Sequence, residues 1–112
     1  MIVGACTLEL RLHGVGSLKD KRSIIKPIMT RLRQEFNVSV AEVDLQDDWE
    51  TAVLGLAVVS NEAGHAHAQI EKCIDWIERQ RLDADIVCVG FGPATAGFLT
   101  TLARQLLKPD GV

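Results

Sequence analysis

Ile2-Val3-Gly4-Ala5-Cys6-Thr7-Leu8-Glu9-Leu10-Arg11-Leu12 is the stretch that decides the fold. Ile2, Gly4, Cys6, Leu8, Leu10 and Leu12 fall on one side of an extended chain. Val3, Ala5, Thr7, Glu9 and Arg11 fall on the other. A period of two with one side apolar marks a strand that buries one face and leaves the other more polar. After the loop His13-Gly14-Val15-Gly16 the period changes. Leu18, Ile25, Met29, Leu32 and Phe36 recur at helical spacings, an apolar stripe running to about Glu35. Ser17 stands at the cap position with Asp20 three residues on, a capping-box-like pattern. Pro27 lies inside this helix and removes one backbone donor, so a continuous helix with a bend is expected.

Beyond it, Asn37–Val43 reads as a second strand and Asp44–Asp48 as a polar turn. Glu50–Ser60 is a third strand, nearly apolar throughout and therefore central. Ser60 or Asn61 caps a second helix that reaches about Arg81, with Ala63, Ala66, Ile70, Cys73, Ile74 and Ile77 as its core stripe. Asp85–Val89 is a fourth strand, ended by the breaker cluster Gly90-Phe91-Gly92-Pro93. The order β-α-β-β-α-β, with right-handed crossovers, puts both helices on one side of the sheet. The expected fold is α+β: a ferredoxin-like two-layer sandwich with an antiparallel four-stranded sheet over residues 1–90. Residues 91–112 form a C-terminal tail, in which Ala94–Leu107 could be a short amphipathic helix with Phe98, Leu99, Leu102 and Leu106 on one side. The sheet face away from the helices, carrying Val3, Ala5 and third-strand residues, is expected to be a bare apolar patch. A second subunit, a nucleic acid or the tail would cover it, and a homodimer through this face is the expectation.

The chain has 112 residues, enough for one domain with one core, and its 47% hydrophobic and 24% charged residues are ordinary for a globular protein. Cys6, Cys73 and Cys88 are far apart and form no C-x-x-C pair, which argues against a zinc ribbon or thioredoxin-type redox chemistry. They read as small buried hydrophobes in a reducing cytoplasm. Met1 leads directly into an apolar run without a basic region, and no apolar segment approaches the roughly 20 residues of a membrane helix. A cytoplasmic protein without membrane contact is expected. The net charge of −3 hides a segregation. Residues 1–43 hold seven cations against four anions, and residues 44–90 hold three against ten.

The segment Ser17-Leu18-Lys19-Asp20-Lys21-Arg22 concentrates this asymmetry. A helix N-terminus already carries partial positive charge, so cations there are locally unfavourable unless an anion is to be held. Ser17, Lys19, Lys21, Arg22 and Lys26 are therefore the candidate anion- or RNA-binding residues. Lys19, Arg22 and Lys26 share a helix face and could meet successive phosphates. Neither the first nor the third strand contains Phe, Tyr or Trp, so RNA would be met through its backbone and not by base stacking on the sheet.

Several motifs taken together resemble a known family. They are Met1-Ile2-Val3-Gly4, the strand Leu8–Leu12, the Ser17–Arg22 segment, Phe36–Val43, Gln46-Asp47 followed by Trp49, Leu54-Gly55 and Val58-Val59-Ser60-Asn61. In order and spacing this set resembles the YlxP-like bacterial family, a domain of unknown function, over about residues 1–90. The resemblance implies a ferredoxin-like domain. It also implies a ribosome-linked role, with ribosomal RNA or a ribosome-linked protein as partner, because members often neighbour genes for translation and ribosome-maturation factors. It brings no catalytic residues. Pro27 and residues 91–112 depart from the family pattern.

Other constellations are weaker. Gly14, Gly16 and Arg22 are superficially compatible with the phosphate loop of an acylphosphatase-like enzyme, with Asn37 placing a water, but the spacing differs from that family's. A phosphate-ligand enzyme or sensor at this loop is thus one alternative, and a purely protein-binding dimeric module is another. His65 and His67 are two apart and diverge on a helix, unlike a metal-binding pair four apart, and His13 stands alone. Asp44, Asp47 and Asp48 read as a solvated turn, and Trp49 and Trp76 as packing residues, with Trp49 anchoring either the turn or a subunit contact. The expectation is a non-enzymatic protein without cofactor or metal.

Overall fold

The computed structural model describes residues 1–80 and 84–93. The elements are β1 (Ile2–Leu12), α1 (Leu18–Glu35), β2 (Ser39–Asp44), β3 (Thr51–Ser60), α2 (Ala63–Gln80) and β4 (Ala84–Pro93). The strands form one antiparallel sheet in the order β2-β3-β1-β4. This is the ferredoxin-like α+β sandwich that the two periods imply.

The alternation in β1 sets the layers. Cys6, Leu8, Leu10 and Leu12 are buried with Ala52, Leu54, Leu56 and Val58 of β3 and Val40 of β2. The register places them side by side, Cys6 opposite Leu56 and Leu8 opposite Leu54. Ile25, Ile28 and Leu32 of α1 and Ala66, Ile70, Cys73 and Ile77 of α2 close the core from one side. Gly4 allows α2 to sit close, because a Cβ there would lie 3.0 Å from the Ala66 methyl. Helix α1 runs unbroken through Pro27, which stands on its exposed side.

Three expectations need correction. First, β4 does not stop at Val89 but continues through Gly90-Phe91-Gly92-Pro93, with Gly92 opposite Ala5 and Pro93 opposite Gly4. As an edge strand it pairs on one side only among the described residues, where glycine and a terminal proline are tolerated. Second, the second helix starts at Ala63, so Ser60 stands ahead of its cap and accepts the Glu62 amide in the preceding turn. Ala63 is exposed. Third, the helix-free face is not uniformly bare: Val59 is 59% exposed, yet Ala5 and Ala41 on the same face are buried. The tail helix expected over Ala94–Leu107 lies outside the described residues.

Candidate functional site

The helix start is built from its own side chains. The Ser17 Oγ accepts from the Asp20 amide at 3.1 Å, and Asp20 Oδ2 accepts from the Gly16 amide at 3.0 Å. The carboxylate of Asp20 thus fills the place beside the first amides that an external anion would take. Ser17 acts here as a cap, and the Gly16 amide is not free to cradle a phosphate.

Lys21 is not a surface cation. It is 1% exposed, at the head of the buried row Lys21, Ile25, Ile28, Leu32. Its Nζ donates to the Leu45 carbonyl at 2.8 Å and the Asp48 carbonyl at 2.7 Å, and lies 2.7 Å from Glu42 Oε2. The Glu42 contact is an ion pair whose approach falls short of hydrogen-bond geometry, so Oε2 has no hydrogen-bond partner among the described residues. Burial pushes the Glu42 carboxyl above its ordinary value; Lys21 and Arg22 pull it down, and Asp47 pushes it up. The candidate residue Lys21 is therefore withdrawn from any nucleic-acid surface, because its charge holds the β2–β3 turn.

That turn is well braced. The Leu45 carbonyl also accepts the Asp48 amide at 3.0 Å. Asp44 Oδ1 accepts the Leu45 amide, while Asp48 Oδ1 accepts the amides of both Glu50 and Thr51. The carboxylates of Asp44 and Asp48 thus serve the turn's own backbone. Leu45 takes the left-handed conformation, φ 54°, which a leucine adopts only under constraint. Trp49, read as a packing residue, is instead 50% exposed.

At the other end of α1 two more cations are engaged. Arg33 donates to the Val40 carbonyl at 2.7 Å, tying the helix to the edge strand β2. Arg31 pairs with Glu35 at 2.8 Å and sits 5.9 Å above the Trp76 ring, which meets Phe36 edge-on. What remains of the basic helix is Lys19, Arg22 and Lys26. All three are exposed, and none forms a hydrogen bond or ion pair with another described residue. Their spacings of three and four keep them on one face.

The histidines are held separately. His13 meets Asp85 at 2.6 Å, His65 meets the Ser60 hydroxyl at 3.2 Å, and His67 meets Glu71 at 3.0 Å. Among the described residues no three His, Cys, Asp or Glu side chains gather as metal ligands. Burial pushes the Cys6 and Cys73 thiols to about 11, which leaves them unreactive at neutral pH. Among the described residues no helix is long and apolar enough to cross a membrane.

The family model described as "Protein of unknown function (DUF503)" matches residues 3–90. The chain belongs to this family. It is also similar to "Uncharacterized protein YlxP" of Bacillus subtilis (strain 168), at 32% identity over 77 residues, 69% of this chain and 84% of that protein. Every residue of the helix start, the Lys21 grip and the Lys19, Arg22, Lys26 face lies within the part that the DUF503 model matches.

Proposed function

We propose that this protein is a non-enzymatic RNA-associated factor, with ribosomal RNA as its partner, and that Lys19, Arg22 and Lys26 contact the phosphate backbone. The observation that carries this reading is the selection the fold makes among its cations. Lys21, Arg31 and Arg33 are engaged within the domain, whereas these three stay exposed on one helix face with no ion-pair contact to another described residue, Arg22 acting on Glu42 only through its field. Lys19 stands in the first turn, against the helix dipole, and with Arg22 and Lys26 on the same face it presents positive charge that an external phosphate chain would meet. The Asp20 carboxylate at the Gly16 amide argues against a phosphate-loop enzyme at the same place.

The test is retention of ribosomal RNA on filters at low and raised salt, beside co-sedimentation with ribosomal subunits. Wild type is expected to bind with an affinity that falls steeply with salt. Lys19→Glu with Arg22→Glu is expected to weaken binding at least tenfold and to flatten the salt dependence by about two phosphate contacts. Wild-type binding that ignores salt, or no binding at low ionic strength, overturns the reading.

A further inference from the structure

The ladder fixes which peptide groups of the edge strand β2 face outward. The Leu12 amide donates to the Glu50 carbonyl, and this pair extends the β1–β3 register by one residue. Peptide groups along an antiparallel strand point alternately to one side and the other. Ala52, Leu54, Leu56 and Val58, in phase with Glu50, therefore bond to β1, and Gly55 and Ala57 bond to β2. Ala57 stands opposite Ser39 and Gly55 opposite Ala41. Val38, Val40 and Glu42, out of phase with these, turn their peptide groups away from β3.

Outward groups of this kind are where a further strand adds. The strand itself does little to prevent it. Ser39-Val40-Ala41-Glu42-Val43-Asp44 has neither proline nor lysine, the residues that commonly blunt an edge. The opposite edge strand, β4, carries its own obstacle in Pro93, which has no amide to give.

Protection of β2 comes from neighbouring parts of the chain. The Val38 amide donates to the Phe36 carbonyl at 2.9 Å, and Arg33 Nη2 donates to the Val40 carbonyl at 2.7 Å. Val40 is 0% exposed, although it stands on an edge strand with its peptide groups turned outward. Past Glu42 the pairing with β3 shifts by a bulge, which bends the edge. Val40 is thus the middle of the three outward groups, and Arg33 sits on it.

We propose that the outer edge of β2 is an interface for β2 of a second copy of this chain, and that Arg33 is the guard that keeps it shut. Run antiparallel about Val40, two such strands set Val40 against its counterpart and Val38 against Glu42 of the other copy, with no like charges opposed on the strands. The two Arg33 guanidiniums, however, meet at the axis between the copies. The guard therefore acts twice, by occupying the Val40 carbonyl and by like-charge repulsion. With the Arg33 side chain removed, neither obstacle remains and the edges pair. The proposal stands apart from the RNA reading, since it uses none of Lys19, Arg22 and Lys26.

Isotope-filtered nuclear Overhauser contacts on the full chain test it. In an equimolar mixture of labelled and unlabelled Arg33→Ala chains at about 0.5 mM, contacts between the β2 strands of different chains are expected, and dilution by about a hundredfold is expected to lose them by mass action. Wild type is expected to show no β2–β2 contact between chains at either concentration. Arg31→Ala removes an arginine that meets Glu35 and Trp76 rather than β2, and it is expected to behave as wild type. Arg33→Ala chains without β2–β2 contacts at the higher concentration overturn the proposal. So do contacts of equal strength in wild type or in Arg31→Ala.

Discussion

The two ends of α1 use positive charge in opposite ways. At the C-terminal end both arginines are turned back onto the domain, Arg33 onto the edge of β2 and Arg31 onto Glu35 and Trp76. At the N-terminal end one cation is swallowed whole while its neighbours in sequence stay outside. Lys21 and Arg22 are adjacent, yet one is buried against three oxygens and the other is exposed. The difference follows from the 100° turn between successive helix residues: Lys21 is in phase with Ile25 and Ile28, and Arg22 is not. Lys21, Arg31 and Arg33 are engaged within the domain, so a count of the basic residues of α1 overstates the charge available to a partner twofold.

Breaking the buried end should have the largest effect. Lys21→Ala leaves the Glu42 carboxylate buried without its counterion and frees two carbonyls. A loss of about 3–5 kcal/mol is expected in urea unfolding. Lys21→Met with Glu42→Leu removes both charges and should recover most of that loss. The pair also predicts a pH dependence. Because Glu42 is held above its ordinary value of 4.5, the folded chain keeps a proton that the unfolded chain has already released. Stability should therefore fall as pH rises from that ordinary value through the folded one, and the double variant should lack this component. A double variant as unstable as Lys21→Ala would show that the two carbonyl contacts, not the ion pair, carry the energy.

The C-terminal end should respond less. Arg33→Ala removes one charged hydrogen bond to the edge of β2, worth about 1.5 kcal/mol by the same measurement. Arg31→Ala removes an exposed i,i+4 pair and a cation–π contact, and about 0.5 kcal/mol is expected. If Arg33→Ala matched Lys21→Ala, the contrast between the two ends would collapse.

Much of the fold was legible because it rests on periods. The alternation in β1 and the helical stripes specify layers and element order without knowledge of any contact. Where sequence and structure part, residue type and position point different ways. Gly90-Phe91-Gly92-Pro93 contains three residues that break interior strands, but an edge strand needs only one side of its ladder. Lys21 belongs with the surface cations by residue type, but its spacing of four before Ile25 and seven before Ile28 places it on the core stripe. Ile28, one residue before Met29, lies on the same buried stripe. The face Lys19, Arg22, Lys26 was legible from spacing alone. The partner of Lys21 was not, because it lies across more than twenty residues in a turn whose shape no local pattern encodes.

The three-point grip of Lys21 also bears on how the domain opens. The Leu45 carbonyl accepts both the Asp48 amide of its own turn and Lys21, whereas the Asp48 carbonyl is met by Lys21 from another element. Lifting the start of α1 strands the Asp48 carbonyl and leaves the left-handed Leu45 held only by the turn itself. The helix start and the turn are thus expected to open as one unit in hydrogen exchange, although more than twenty residues of chain separate them.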